Sequence, residues 1–579
     1  MGLIAGYKKL FGLFNRRQKI NSLLMLVLII IGGIAETIGV GVILPFTTIL
    51  LDVESVQAYP FLANLVQNPW INGHRRFIII MCTGLVIIFI LKSLYMFFLI
   101  YIQNRFILNR QIDLSKMLFQ SYIYKPYEFF FEKNTAELQR NVNTLIGQIS
   151  QGVLMYGLQL LTELLVVILI LILLLFVDPV STISIGVVLG GFSALYYLLL
   201  KKRLDESAKK QNILGEKMVK TVNEALGSIK EVKVLGKESS FINGFDKDGR
   251  GYARTVAFYN VANQSPRLLI ETVAVAGLVI IVVMNTLRSP DMTASLPTIA
   301  LFGMAAMRIM PSLNRSIAFL TNIRFNMAHF AKIYDDLKDA KERADKVPAK
   351  TVKTELKNNI ELYNLTYRYP NTGAYILKNA QLTVKKGQTI GIVGSSGAGK
   401  TTLVDILLGL LDPDDGDVLV DGESIKNNID GFRRSVGYVP QDIFIIDDTV
   451  AANVAFGIPE NEIKTERIWE SLEVANLKDY IESLDEGLST VVGESGTRLS
   501  GGQRQRLSIA RTIYNNPDIL IFDEATSSLD SESEKIISDA ITAIGQSKTM
   551  IIIAHRLNTL EKCDIIYEIK DGKIMRQPN

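Results

Sequence analysis

Two cysteines and three histidines in 579 residues leave the chain poor in the side chains that staple small domains. Cys82 lies in an apolar run and Cys563 in the more polar C-terminal half, so no disulfide framework is implied and a reducing compartment is the default for that half. His74 and His329 read as surface or packing residues; His555, directly after an apolar strand, has a functional setting. An excess of one charge is also missing, since 62 Lys and Arg stand against 58 Asp and Glu, a net of +4, and no nucleic-acid partner is expected. There is no low-complexity segment and no internal repeat beyond a succession of hydrophobic hairpins. The first apolar run follows Lys8, Lys9, Arg16, Arg17 and Lys19 but is longer than a secretory hydrophobic region and ends in no clean small-residue cleavage pattern, so it reads as a retained first span.

What the chain has in plenty is apolar surface. With 48% hydrophobic residues and a mean hydropathy of +0.24 it is too apolar for an ordinary soluble enzyme of this size. The excess lies before about residue 325; after about 340 the mixture of charge, glycine and alternating strands is that of a soluble domain. A bilayer core needs roughly 20 apolar residues per helix, and six stretches qualify, near 21–51, 77–104, 152–177, 179–200, 260–287 and 296–320. Only Asp178 and Pro179 separate the third from the fourth, which predicts a tight hairpin. The connections after the second and fourth spans are long, of helical period and rich in Lys and Arg, so the positive-inside bias places them, with both termini, in the cytoplasm of a multi-pass protein of the cytoplasmic (inner) membrane. The charged stretch from Ala340 that contains Pro348 reads as a linker. The expected organisation is a membrane domain over 1–335, a linker over 336–353 and an α/β domain over 354–579.

In the second half, TIGIVGSSGAGKTTL from Thr389 is a short strand, a glycine-rich turn and a helix start. Gly394, Ser395, Ser396, Gly397, Ala398, Gly399, Lys400 and Thr401 fit G-x-x-x-x-G-K-[ST] in that context, with Thr402 following. Backbone N–H groups of such a loop surround phosphates, the lysine reaches the β and γ oxygens, and the threonine hydroxyl ligates Mg²⁺. Farther on, ILIFDEATSSLD is an apolar strand delivering Asp523 to organise Mg²⁺ and Glu524 to polarise water. Between them, in RLSGGQRQRLSIAR, Ser500, Gly501, Gly502 and Gln503 open a helix and offer a second anion site, which makes sense if it closes over a nucleotide held by another copy.

LSGGQ between a phosphate loop and an Asp-Glu strand end resembles the signature of ABC ATPases, and six spans before it look like an ABC exporter half-transporter. The resemblance implies that Tyr369 in YRYP stacks on adenine, with Tyr367 as the rival or local packing as the alternative. It implies that Gln441 in YVPQD ligates Mg²⁺ and senses the membrane domain. It also matches Glu494 to the acidic residue of the exporters' X-loop, Asp530 to the D-loop, and His555 to the switch histidine on the γ-phosphate. The implied assembly is a homodimer with two ATP sites, each pairing Lys400 of one copy with Ser500 of the other. Pro126 to Arg140 and Asn223 to Phe245 resemble the two coupling-helix regions of exporters, with ordinary solvated helix as the alternative.

The cargo must be read from the membrane half, where Glu36, Lys92, Glu163, Arg267, Glu271, Arg308 and Arg315 lie in or near the spans. Intramembrane charge is costly and faces a bundle interior or a wet cavity. Arg267 and Glu271, at i and i+4, could neutralise each other, and the others could form bridges between helices. Alternatively Lys92, Arg267, Arg308 and Arg315 contact an anionic cargo; Arg308 and Arg315, seven apart, share a helix face across Pro311, and guanidinium forks suit phosphate oxygens. Glu36 to Phe46, Ser265 to Glu271 and MRIMPSLNR are similar to stretches of PglK-type flippases, which turn polyprenyl-pyrophosphate-linked oligosaccharides across a membrane, although Lys92 stands where that family carries arginine. Three functions follow as expectations: such a flippase; a general exporter of lipids, drugs or peptides; or an ATP-gated channel or regulator. No cysteine-protease domain precedes the spans, which counts against export of processed peptides.

Overall fold

The computed structural model describes residues 3–51, 56, 74–288, 292–344, 352–370, 372–524, 531–545, 548–554, 560–561 and 563–577. The chain forms two units, Met1–Lys125 with Asn134–Lys346, and Pro126–Lys133 with Val347–Asn579. The last helix of the first unit, Met292–Ala344, continues into the segment read as linker, because KDAKERA consists, Asp339 apart, of strong helix formers. The short stretch Pro126–Lys133 groups with the soluble domain although it lies more than 200 residues earlier in the chain.

The first unit is helical. Among the described residues, five helical segments are long and apolar enough to cross a membrane, Arg16–Leu51, Arg75–Ile123, Glu137–Val177, Pro179–Leu200 and Leu296–Glu342. The remaining expected span, 260–287, is the later part of Glu238–Arg288, a helix of 51 residues. At 1.5 Å per residue such a helix is about 75 Å long, more than twice a hydrocarbon core of about 30 Å. The expected hairpin is present: Asp178 ends one helix and caps the next, its carboxylate accepting from the Ser181 N–H at 3.3 Å and the Ser181 hydroxyl at 2.6 Å, with Pro179 in the first turn, where its missing N–H costs nothing. Val40, Val166, Ile170, Leu174, Phe302 and Ile309 pack three helices together. Gly33 permits close approach there, because a Cβ at that position would collide with Leu165.

Among the described residues, the second unit carries ten strands in two sheets. The smaller is antiparallel in the order β2-β1-β4-β5, made of β1 Asn359–Tyr367, β2 Leu377–Lys385, β4 Asp415–Val420 and β5 Glu423–Ser424. The larger runs β10-β9-β3-β8-β7-β6, made of β3 Thr389–Val393, β6 Val436–Val439, β7 Ile519–Asp523, β8 Thr549–Ile553, β9 Ile565–Lys570 and β10 Lys573–Arg576. The four pairings that join β9, β3, β8, β7 and β6 are all parallel; β10 alone is antiparallel, against β9. β7 and β8 are buried at every position, as central parallel strands covered on both faces require. Parallel strands end on the same edge, so the residues following β3, β6 and β7 meet there.

Candidate functional site: the nucleotide cavity and the intramembrane charges

At that edge the loop after β3 turns through Gly397 at φ +79° and Gly399 at φ +104° into the helix Lys400–Leu407. No side chain caps this helix, so its first-turn N–H groups keep no side-chain acceptor, and its start suits an anion. The Lys400 ammonium donates to the carbonyls of Gly394 at 2.9 Å and Ser395 at 3.2 Å and is nearly fully buried. A cavity of about 440 Å³ is lined by Tyr369, Gly397, Lys400, Thr401, Gln441 and Glu524 among others. Thr402, buried beside it, shares a hydrogen bond with the Tyr369 hydroxyl at 3.1 Å.

Across the cavity, Glu524 sits just past β7 in the left-handed region, φ +46°, with its N–H bonded to Ile553 at 3.0 Å. That strained backbone turns its carboxylate toward the loop after β6, where the Gln441 amide donates to it at 2.8 Å. Asp523 is buried and accepts from the Tyr438 hydroxyl at 3.3 Å. Burial, and then the Glu524 charge, raise its carboxyl above the usual range, while Tyr438 and Lys400 pull the other way. Asp405, on the phosphate-loop helix, is pushed up to about 6 by burial and by the charge of Asp523. Neither Tyr438 nor Asp405 was singled out from the sequence; the alternation of β6 and the i+4 spacing from Thr401 are the signals that could have pointed to them.

Thr401 and Gln441 line the cavity with a hydroxyl and an amide, and Asp523, buried next to Glu524 and within the field of Lys400, adds a carboxylate close by; such hard oxygen donors fit Mg²⁺, which binds through few protein ligands beside nucleotide phosphates. Among the described residues, no group of three or more His, Cys, Asp or Glu could hold a metal by itself.

The helix start expected from the sequence to offer a second anion site stands elsewhere. Ser500 caps the helix Gly501–Tyr514: its hydroxyl accepts from the Gln503 N–H at 3.2 Å while the Gln503 side chain accepts from the Ser500 N–H at 2.8 Å. Ser500 and Gly501 are exposed, and none of Ser500 to Gln503 lines the cavity that holds Lys400. Asp530 and His555 lie outside the described residues.

In the first unit, five of the seven spotted charges form one chain. Lys92 pairs with Glu36 at 3.2 Å, Glu36 with Arg308 at 3.0 Å, Arg308 with Glu163 at 3.7 Å, and Glu163 with Arg315 at 2.9 Å. Four helices contribute, and three cations face two carboxylates, so one positive charge is left over. The carboxylate side chains are 9–10% exposed and that of Arg315 is 47% exposed. The helix runs unbroken through Pro311, and Ser312 accepts from the Arg308 guanidinium at 3.2 Å. Arg267 and Glu271 are both exposed, and no ion pair joins them among the described residues; i, i+4 spacing permits a pair without compelling one.

With this geometry in view, comparison with known proteins places the chain. The ABC transporter transmembrane region family matches residues 20–304 and the ABC transporter family matches residues 377–527. The ATP-dependent lipid A-core flippase of Ralstonia nicotianae is 30% identical over 484 residues, 83% of this chain and 80% of its own length. That of Burkholderia orbicola is 31% identical over 481 residues, 82% and 79%, and the heterocyst differentiation ATP-binding protein HepA of Nostoc is 30% identical over 482 residues, 82% and 76%. A solved bacterial Atm1-family ABC exporter with ATP bound shares the fold with a TM-score of 0.75 at 21% identity, covering 97% of this chain and 95% of that one. The chain belongs to the ABC transporter family. It is a multi-pass membrane protein of exporter fold whose C-terminal domain binds ATP and couples its hydrolysis to transport.

Proposed function

We propose that two copies of this chain form a homodimer that flips an anionic amphiphile, its head group carrying phosphate or pyrophosphate as in polyprenyl-linked oligosaccharides, across the cytoplasmic membrane, with the ATPase domains in the cytoplasm. The observation that carries the cargo reading is the chain of five intramembrane charges with one cation in excess and its terminal guanidinium, Arg315, half exposed. Arg315 and Arg308 present forks to phosphate oxygens, and Lys92 adds a point charge; Arg267, exposed on its helix, is a further cationic contact. Relatives named as lipid A-core flippases support a lipid cargo.

At the nucleotide cavity, Tyr369 is the stacking platform for adenine, while the backbone of Gly394, Ser395, Ser396, Gly397, Ala398 and Gly399, with Lys400, Thr401 and Thr402, binds the phosphates. Thr401, Gln441 and Asp523 would hold Mg²⁺, which shields the phosphate charge when bound. Glu524, oriented by the Gln441 amide, takes the proton from the attacking water, and His555 contacts the γ-phosphate. Because Ser500 to Gln503 stand apart from their own chain's cavity, the second copy supplies them, with Asp530, to complete each site.

The test is a reconstituted flipping assay with a fluorescent polyprenyl-pyrophosphate glycolipid, read per ATP consumed. Arg308→Ala and Arg315→Ala should each lower flipping about tenfold or more, since a charge-assisted contact contributes about 1.5–3 kcal/mol, and lysine should rescue only in part. Unimpaired flipping in the double alanine variant would overturn the cargo reading, and ATPase stimulation by apolar drugs, acyl lipids or peptides but by no polyprenyl-pyrophosphate lipid would favour a general exporter.

A further inference from the structure

Tyr369 is held from three directions. Its hydroxyl bonds Thr402, its ring meets that of Tyr367 edge-on at 5.3 Å and 82°, and the ring of Phe131 meets it edge-on at 5.8 Å and 72°. Tyr367 is 3% exposed and fixed in the core of the domain. Phe131 comes from the stretch Pro126–Lys133, where Tyr127 backs it at 5.0 Å and 75°. A ring whose plane is already fixed stacks on a base without the entropic cost of ordering it, and edge-to-face neighbours set that plane. One of those neighbours ends the strand β1 two residues before Tyr369, and the other reaches it from the connection that follows the helix His74–Ile123.

We infer that Phe131 is a positioning residue for the nucleotide base, setting the ring of Tyr369 from the cytoplasmic connection between the second and third spans. The inference rests on the reading of Tyr369 as the adenine platform. It gives that connection a direct part in base binding, so the same few residues meet the base site and continue into the spans. The effect falls on affinity rather than on the hydrolytic step, because Phe131 touches neither Glu524 nor the phosphate loop among the contacts described.

In the full-length protein in nanodiscs, Phe131→Ala should raise the KM for ATP about two- to tenfold, the span expected of an aromatic pair, with a much smaller change in kcat. Phe131→Leu, which keeps apolar bulk but loses the ring, should behave like alanine, and Phe131→Tyr should restore the KM. Inorganic tripolyphosphate, which has no base, should inhibit wild type and Phe131→Ala with the same Ki. An unchanged KM in both Phe131→Ala and Phe131→Leu, or a Ki for tripolyphosphate that rises along with the KM, would overturn the inference. Tyr369→Ala separates the two levels: if it leaves the KM for ATP unchanged, the adenine platform itself is misassigned, whereas a raised KM there with none at Phe131 removes only the role of Phe131.

Discussion

Lys400 finds its carbonyl partner six residues away in the chain, whereas Arg308 finds Glu36 across 272. Both cations are poorly solvated, yet the first is placed by a local turn and the second by the packing of separate helices. In the nucleotide domain the carboxyl ends of β3, β6 and β7 deliver loops to one edge, so a contiguous motif is already most of a site. Among the described residues of the membrane domain, the five linked intramembrane charges find their partners on other helices, and four helices must assemble before the whole chain of pairs exists. Damage should therefore be local and chemical in one region and structural in the other.

The largest effect expected sharpens that contrast. Glu524→Gln should lower phosphate release by about 10²–10⁴-fold, the range of general-base catalysis, while a fluorescent ATP analogue still binds, because the phosphate loop is untouched. Substantial turnover by the purified variant would take Glu524 out of the chemistry. Next comes Glu163→Ala, which leaves Arg308 and Arg315 facing a hydrophobic surrounding without their shared carboxylate. Breaking a buried pair costs about 3–5 kcal/mol, so the melting midpoint in nanodiscs should fall strongly. Arg315→Ala should cost less, since that side chain is 47% exposed and Glu163 retains Arg308. Equal midpoints for Glu163→Ala and wild type would mean that the ion chain adds no net stability.

The smallest effect concerns Asp405, whose carboxyl is raised from 3.8 to about 6. The folded chain then binds this proton more tightly than the unfolded chain, so ionising it weakens the fold as pH rises from about 4 to 6, and the penalty is complete above 6. Asp405→Asn should melt a few degrees above wild type at pH 7.5 in magnesium-free buffer, with the advantage vanishing as pH falls toward 4. An advantage that persists at pH 4 would assign it to packing rather than charge.

The legibility of the two regions follows the same line. The phosphate loop, the Asp523-Glu524 strand end and the Asp178-Pro179 hairpin could be read directly because each is specified by neighbours in the chain. The pairing of Lys92, Glu36, Arg308, Glu163 and Arg315 could be listed as charges but not connected, and the pair that spacing did suggest, Arg267 with Glu271, is not formed among the described residues. Helical spacing fixes which face a side chain shares, while solvent and the other helices fix what it bonds.

The sequence by itself determined that apolar helices precede an ATP-binding domain and where a glycine-rich turn opens the helix Lys400–Leu407, since hydropathy and turn geometry act over a few residues. Tertiary structure decided which carboxylate neutralises which arginine, that Tyr438 and Asp405 crowd Asp523, and that Phe131 rests on Tyr369. Those contacts join segments tens to hundreds of residues apart, and their energies depend on a burial that exists only once the elements have packed.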